Sequence, residues 1–233
     1  MPPLTPYLKI IMIICGAVWL LQVILNFARF NIAGLGFEQM LGVVPVLAVK
    51  GFVWQPLTYM FLHSPVEPFH ILLNLLFIWM FGGELERHWG SRAFLRYYLV
   101  CGVGAGVFIT IWGFIVGTPT TTTIGASGAL FGLIIAFGIV FADRTVLFML
   151  IFPMKARTMA MILFGITFFL TFRSSGGVVS HAGHLGGALT GFLFLKRAWR
   201  VGDFYRELKW KVRRRRFKVI EPDQKDDHDR WIH

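Results

Sequence analysis

Five polar side chains stand where the chain is otherwise apolar: His70, Asn74, Ser127, His181 and His184. A polar group in such a setting is costly unless it is paired, so these positions mark where chemistry could be done. Together they hold what acyl transfer needs: a hydroxyl nucleophile, an imidazole base and N–H donors for an oxyanion. Ser127 lies in "GASGALFG", residues 125–132, crowded by Gly125 and Gly128. His70 and Asn74 are four residues apart and share one helix face. Each has a plainer reading when taken alone. A serine can bond back to a carbonyl one turn earlier and let two helices approach closely. His70 with Asn74 reads as an interhelical hydrogen-bond pair. His181 and His184, three apart with no carboxylate or thiol partner, make a poor metal site, and no metal or cofactor is expected. Only convergence of all five on one side of the molecule favours chemistry, and convergence depends on the elements that carry them.

Those elements are apolar. Of 233 residues, 56% are hydrophobic and 15% charged, and the mean hydropathy is +0.65. A soluble domain carries roughly a quarter charged residues, so this composition points to a chain dissolved in lipid. Charges cut it into uncharged runs: Ile10–Ala28, His70–Gly83 and Tyr97–Ala142, followed by Thr158–Phe172 and Ser174–Leu195. The third run is too long for one crossing at about 20 residues each. It divides at "GTPTTTTIGAS", residues 117–127, where Gly117, Pro119 and the threonines disfavour helix. The expectation is an all-α, polytopic bundle of six transmembrane helices over residues 1–200, the fourth beginning near Ser127. The first run ends in no small-residue cleavage site and is expected to be retained. Cys15 and Cys101 lie inside apolar runs and read as packing residues.

Loop charge sets the orientation. With the N-terminus inside, the cytoplasmic side holds Arg87, Arg92, Arg96, Arg144, Lys155 and Arg157, while the opposite side holds Arg29, Lys50 and Arg173. Both termini are therefore expected in the cytoplasm. Residues 31–69 become a long outer loop, aromatic and low in charge, lying in the interface. The tail, residues 201–233, is basic and includes Arg213, Arg214, Arg215 and Arg216. Following directly on an apolar run, it reads as an anchor at anionic headgroups and not as a nucleic-acid arm. In this topology His70, Asn74, Ser127, His181 and His184 all lie near the outer ends of the second, fourth and sixth spans.

The motifs around these residues resemble those of the rhomboid intramembrane serine proteases. "GASGALFG" is similar to the family's G-x-S-G. "HLGGALTG", residues 184–191, is similar to its H-x-x-G-x-x-x-G, and "HILLNLLFIWMFGGELERHWGS", residues 70–91, resembles its second helix with H-x-x-x-N. The upstream "FLH" ending at His63 also fits, and the likeness runs in order from Phe52 to Leu195. The resemblance implies a catalytic dyad of Ser127 with a histidine on the sixth span. It also implies an oxyanion held by His70, Asn74 and the Ser127 backbone N–H. Of the two histidines, only His184 has glycines three and seven positions on, at Gly187 and Gly191. At about 100° per residue His184 projects within roughly 20° of Gly191 and His181 about 80° from it. Gly183, Gly187 and Gly191 form a small-residue stripe, and Gly128 with Gly132 forms a matching one on the fourth span. Phe131, one turn after Ser127, stands where the family often places an aromatic against the histidine ring.

The function so implied is an intramembrane serine endopeptidase of a bacterial cytoplasmic membrane. It would cut single-pass transmembrane proteins near the outer side of the bilayer. The alternative is a catalytically silent rhomboid-like protein that binds membrane helices. A channel or transporter is disfavoured because the spans carry no charge to mark an ion path.

Overall fold

The computed structural model describes residues 4–148, 151–172 and 181–196. The tail at 201–233, Arg173 and the expected start of the sixth span at 174–180 lie outside the described residues. Helix α1 is Pro6–Phe27, started by a proline that needs no hydrogen-bond acceptor at that position. A short hairpin follows, β1 (Asn31–Ile32) with β2 (Leu35–Gly36), then three short helices, α2 (Phe37–Leu41), α3 (Pro45–Val49) and α4 (Gln55–Thr58). Helix α5 (Pro68–Phe77) continues through a π-turn at Ile78–Gly82 into α6 (Gly83–Trp89). Then come α7 (Ser91–Ile115), α8 (Ser127–Val140), a second hairpin of β3 (Thr145–Phe148) and β4 (Phe152–Lys155), and α9 (Ala156–Thr171). A last helix, α10, occupies residues 181–196.

The chain is thus mostly helical, with two small antiparallel hairpins that the sequence reading did not include. The first turns through Ala33 and Gly34, both at positive φ, and Asn31 Oδ1 accepts the Gly34 N–H at 2.9 Å. Among the described residues three helical stretches are long and apolar enough to cross a bilayer: Pro6–Phe27, Pro68–Trp89 and Ser91–Ile115. Ser127–Val140 and Ala156–Thr171 are apolar but shorter.

The second stretch runs beyond the expected Gly83 because its acidic residues are neutralised in place. Glu86 is buried and accepts hydrogen bonds from Thr5 Oγ1, from the Tyr7 N–H at 3.0 Å and from the Leu8 N–H at 2.9 Å. It therefore caps the otherwise unsatisfied N-terminus of α1. Glu84 pairs with Arg87 and, at 3.1 Å, with Arg144.

Segment 31–69 is expected as an interfacial loop but is built into the packing. Three glycines on one face of α7 admit it: a methyl group at Gly102 would overlap the Met60 side chain. At Gly106 it would come within 2.6 Å of the Pro56 backbone and at Gly113 within 2.6 Å of Pro45. Gln55, fully buried, ties the segment together by accepting the Val44 N–H at 3.0 Å and donating to the Gln39 carbonyl at 2.9 Å. In return the segment satisfies the non-helical chain between α7 and α8. Val43 and Thr123 exchange backbone hydrogen bonds at 2.9 and 2.8 Å, Val46 N–H reaches the Pro119 carbonyl, and Gly125 N–H reaches the Tyr59 carbonyl. Irregular backbone deep in an apolar protein persists only where its polar groups are paired in this way.

That chain drops the start of α8 well below the end of α7. A methyl at Gly128 would stand 2.6 Å from Ala105 Cβ, so Ser127 is level with the middle of α7. Helix α7 continues ten residues past Ala105 to Ile115, which is about 15 Å at the helical rise.

Candidate active site

Ser127 opens α8 two residues after Gly125, whose φ of +125° is one that L side chains rarely adopt. The sharp entry leaves the hydroxyl at the end of the helix, where backbone N–H groups are not yet paired. Ser127 Oγ lies 2.7 Å from His184 Nε2 on α10. Phe131, one turn along α8, stacks on the His184 ring with centroids 4.3 Å apart and planes 7° from parallel. The imidazole is thus held on its face by an aromatic and at its edge by the hydroxyl. His181 packs edge-on against His184 with centroids 5.9 Å apart.

This contact requires two helices to approach almost to backbone separation, and glycines make it possible. A methyl group at Gly187 would overlap the Gly128 carbonyl oxygen. A methyl at Gly128 would reach Gly183 O at 3.3 Å, one at Gly132 would reach Gly187 O at 3.3 Å, and one at Gly191 would meet Gly132 Cα at 3.1 Å. The stripes on α8 and α10 therefore interleave along the helices. Tyr97 Oη closes the lower end by donating to the Gly132 carbonyl at 2.9 Å.

His70 and Asn74 face the same space from α5. The Ser64 N–H donates to His70 Nδ1 at 3.3 Å. A backbone N–H can only donate, so Nδ1 holds the lone pair and neutral His70 carries its proton on Nε2. A side chain at Gly125 would stand 3.0 Å from that Nε2 and 3.8 Å from Ser127 Oγ. The hollow left by the glycine thus lies between the ring donor and the hydroxyl. Asn74 is buried, and its Nδ2 donates to the His70 carbonyl at 2.8 Å. That acceptor identifies the nitrogen, whose second hydrogen remains for another partner. A cavity of about 290 Å³ joins these groups, walled by Tyr59, Thr123 and Ile109 as well.

Of the residues expected at the site, Ser127, His184, His70, Asn74, Gly125 and Gly128 line this cavity, Phe131 and His181 pack against the His184 ring, and Gly187 and Gly191 lie in the contact between α8 and α10. Others behind the cavity were not singled out by spacing. His63 is fully buried with its ring 5.3 Å from that of His70. Burial and the neighbouring His70 lower its pKa to about 4, so it adds no charge near neutral pH. Gln22 on α1 is also fully buried and accepts the His63 N–H at 2.9 Å. An amide in the uncharged run Ile10–Ala28 carries the same signal as the five residues first identified.

Residues 50–200 match the family described as the Rhomboid domain. Among curated proteins the chain is 29% identical to Rhomboid-like protease 3 of Toxoplasma gondii over 153 residues, 65% of this chain and 54% of that protein. It is 29% identical to Rhomboid protease GluP of Bacillus subtilis (strain 168) over 146 residues, covering 63% of this chain and 26% of that one. With RHOMBOID-like protein 1 of Arabidopsis thaliana it shares 28% over 153 residues, 64% of this chain and 36% of that one. The match spans about half the length of the first of these relatives and less of the other two. Ser127, His184, His70 and Asn74 all fall inside the matched stretch, which takes in well over half of the sequence, and on that match the chain belongs to the rhomboid family.

Proposed function

We propose that this chain is an intramembrane serine endopeptidase that cuts single-pass transmembrane proteins with the dyad Ser127–His184. The observation that carries the reading is the 2.7 Å approach of Ser127 Oγ to His184 Nε2. His184, neutral, takes the hydroxyl proton as Oγ adds to a peptide carbonyl carbon. The carbonyl oxygen becomes an oxyanion that receives hydrogen bonds from His70 Nε2–H, from the Asn74 amide and from the backbone N–H of Ser127. The C–N bond then breaks, His184 returns its proton to the leaving amine, and the acyl group stays on Ser127. Water, giving a proton to His184, adds to the ester carbonyl carbon; the C–Oγ bond then breaks as His184 passes that proton to Ser127 Oγ, which releases the acid and restores the hydroxyl and the neutral imidazole. Among the described residues no carboxylate orients His184; Phe131 does so by stacking, which makes the arrangement a dyad. No cofactor or metal enters the reaction.

Six membrane crossings with both termini in the cytoplasm put this cavity toward the outer leaflet of a bacterial cytoplasmic membrane. The basic tail then lies on anionic headgroups. Substrates must offer unpaired backbone, because a helix keeps its carbonyls bonded internally. Segments with glycine or proline near their outer end meet that need. The relatives named as proteases support the reading.

A fluorophosphonate probe is expected to label the chain in liposomes and to lose its target in Ser127→Ala, alongside cleavage of a model transmembrane substrate. Failure of both in the folded wild-type protein would leave the silent helix-binding reading. His70→Ala and Asn74→Ala should each lower kcat by about 10²- to 10³-fold, the usual worth of one oxyanion donor. KM should change little, since the contact forms in the transition state. Phe131→Leu keeps apolar bulk but loses the stacking face. A ring pair is worth roughly 0.5–1.5 kcal/mol, so kcat should fall about two- to tenfold at unchanged labelling stoichiometry.

A further inference from the structure

A chain of hydrogen bonds runs behind His70 to the first helix. Gln22 Oε1 accepts the His63 N–H at 2.9 Å, and Gln22 Nε2 donates to Glu38 Oε1 at 3.2 Å. One turn earlier on α1, Trp19 Nε1 donates to the Ser64 carbonyl at 3.0 Å. Helix α1 therefore grips the backbone on both sides of the Ser64 amide, and that amide is the donor to His70 Nδ1 at 3.3 Å. The His63 ring, fully buried, packs against the His70 ring and leaves the segment little freedom to slide.

We propose that Gln22 is a positioning residue for the oxyanion donor: it holds the His63–Ser64 backbone so that the Ser64 N–H keeps the His70 proton on Nε2. The inference rests on the protease reading above. A neutral imidazole has two tautomers, and only one presents an N–H to the hollow beside Gly125. The other would turn a lone pair toward the developing oxyanion, so the unwanted tautomer removes a donor and adds repulsion. Gln22 touches neither substrate nor nucleophile, and acts through two peptide units. Glu38 orients it: the carboxylate can only accept, so it fixes which end of the amide is the donor and leaves Oε1 for His63.

The test uses the full chain in lipid nanodiscs with nitrogen-15-labelled histidine, the His70 signals being assigned by their loss in His70→Ala. Wild-type His70 should show one tautomer, protonated at Nε2. Gln22→Leu should show both tautomers, with kcat down about five- to tenfold and KM unchanged, as expected for loss of one orienting hydrogen bond. Gln22→Glu, which sets a carboxylate against Glu38, should do the same. Exchanging the pair, Gln22→Glu with Glu38→Gln, restores both hydrogen bonds and should restore tautomer and kcat together. That rescue keeps the proposal open to refutation even if Gln22→Leu folds poorly. Gln55→Leu, at an equally buried amide that does not touch His63 or Ser64, should lower the melting temperature and leave the His70 signature intact. A single Nε2–H tautomer in folded Gln22→Leu, or an exchanged pair that stays as slow as Gln22→Glu, overturns the proposal. Wild-type protein that neither labels nor cleaves overturns the protease reading instead, since the nitrogen signature reports the hydrogen-bond chain without any turnover.

Discussion

Ser127→Ala is expected to abolish cleavage, with a fall in kcat of at least about 10⁴-fold, and His184→Ala is expected to match it. The equality follows from the geometry. At 2.7 Å the hydroxyl and the imidazole share one proton path, so neither works without the other and their losses do not add. The double variant should therefore be no slower than either single one. A residue that acts by packing alone would behave differently, lowering stability and leaving partial turnover. His181→Ala provides the contrast. Its ring touches His184 edge-on at 5.9 Å but is not the partner of Ser127. It should retain most activity, and a His181→Ala variant as dead as His184→Ala would show that the base has been misassigned. Both losses are read as cleavage of a transmembrane substrate together with probe labelling, in protein whose melting temperature is checked first.

The second large effect is expected at Gly187, which carries no reactive group. Any side chain there must displace the Gly128 backbone, because a single methyl would already overlap its carbonyl oxygen. Overpacking against flexible side chains costs about 1–3 kcal/mol. Here the obstruction is main chain one residue from Ser127. Gly187→Val should lower the melting temperature by several degrees. It should also reduce cleavage to the level of Ser127→Ala, because α8 and α10 must separate and carry Ser127 away from His184. Gly187→Ala should fall between. Gly165 on α9 has open space around it, so Gly165→Ala should be neutral or slightly stabilising through helix propensity alone. An active, stable Gly187→Val would mean that the interleaved stripes do not set the dyad distance.

Local features of the sequence carried much of this. Apolar runs cut by charge marked the helices, since lipid and charge exclude one another, and the two ends of the site were readable as polar residues in apolar runs. Glycine every four residues marked close helix contact, because four residues return nearly to the same helix face. Boundaries were less legible. Glu84 and Glu86 looked like the end of the second helix, but partners on α1, α6 and the segment after α8 neutralise them. Segment 31–69 was legible as an aromatic outer loop low in charge, but not its short helices or what they pack against. Its fit depends on glycines of α7 that come well after it in the chain.

The sequence by itself determined which residues could do chemistry and which faces were smooth enough to meet, because residue type and helical period are local properties. Tertiary structure alone decided the proton on His70, the depth of Ser127 and the place of Gln22. The depth of Ser127 and the place of Gln22 depend on contacts between segments far apart in the chain, and the proton on His70 on an N–H six residues away in a segment that α1 holds. No local pattern specifies the partner of a buried N–H; only the folded arrangement brings Ser64 to His70 and Gln22 to His63.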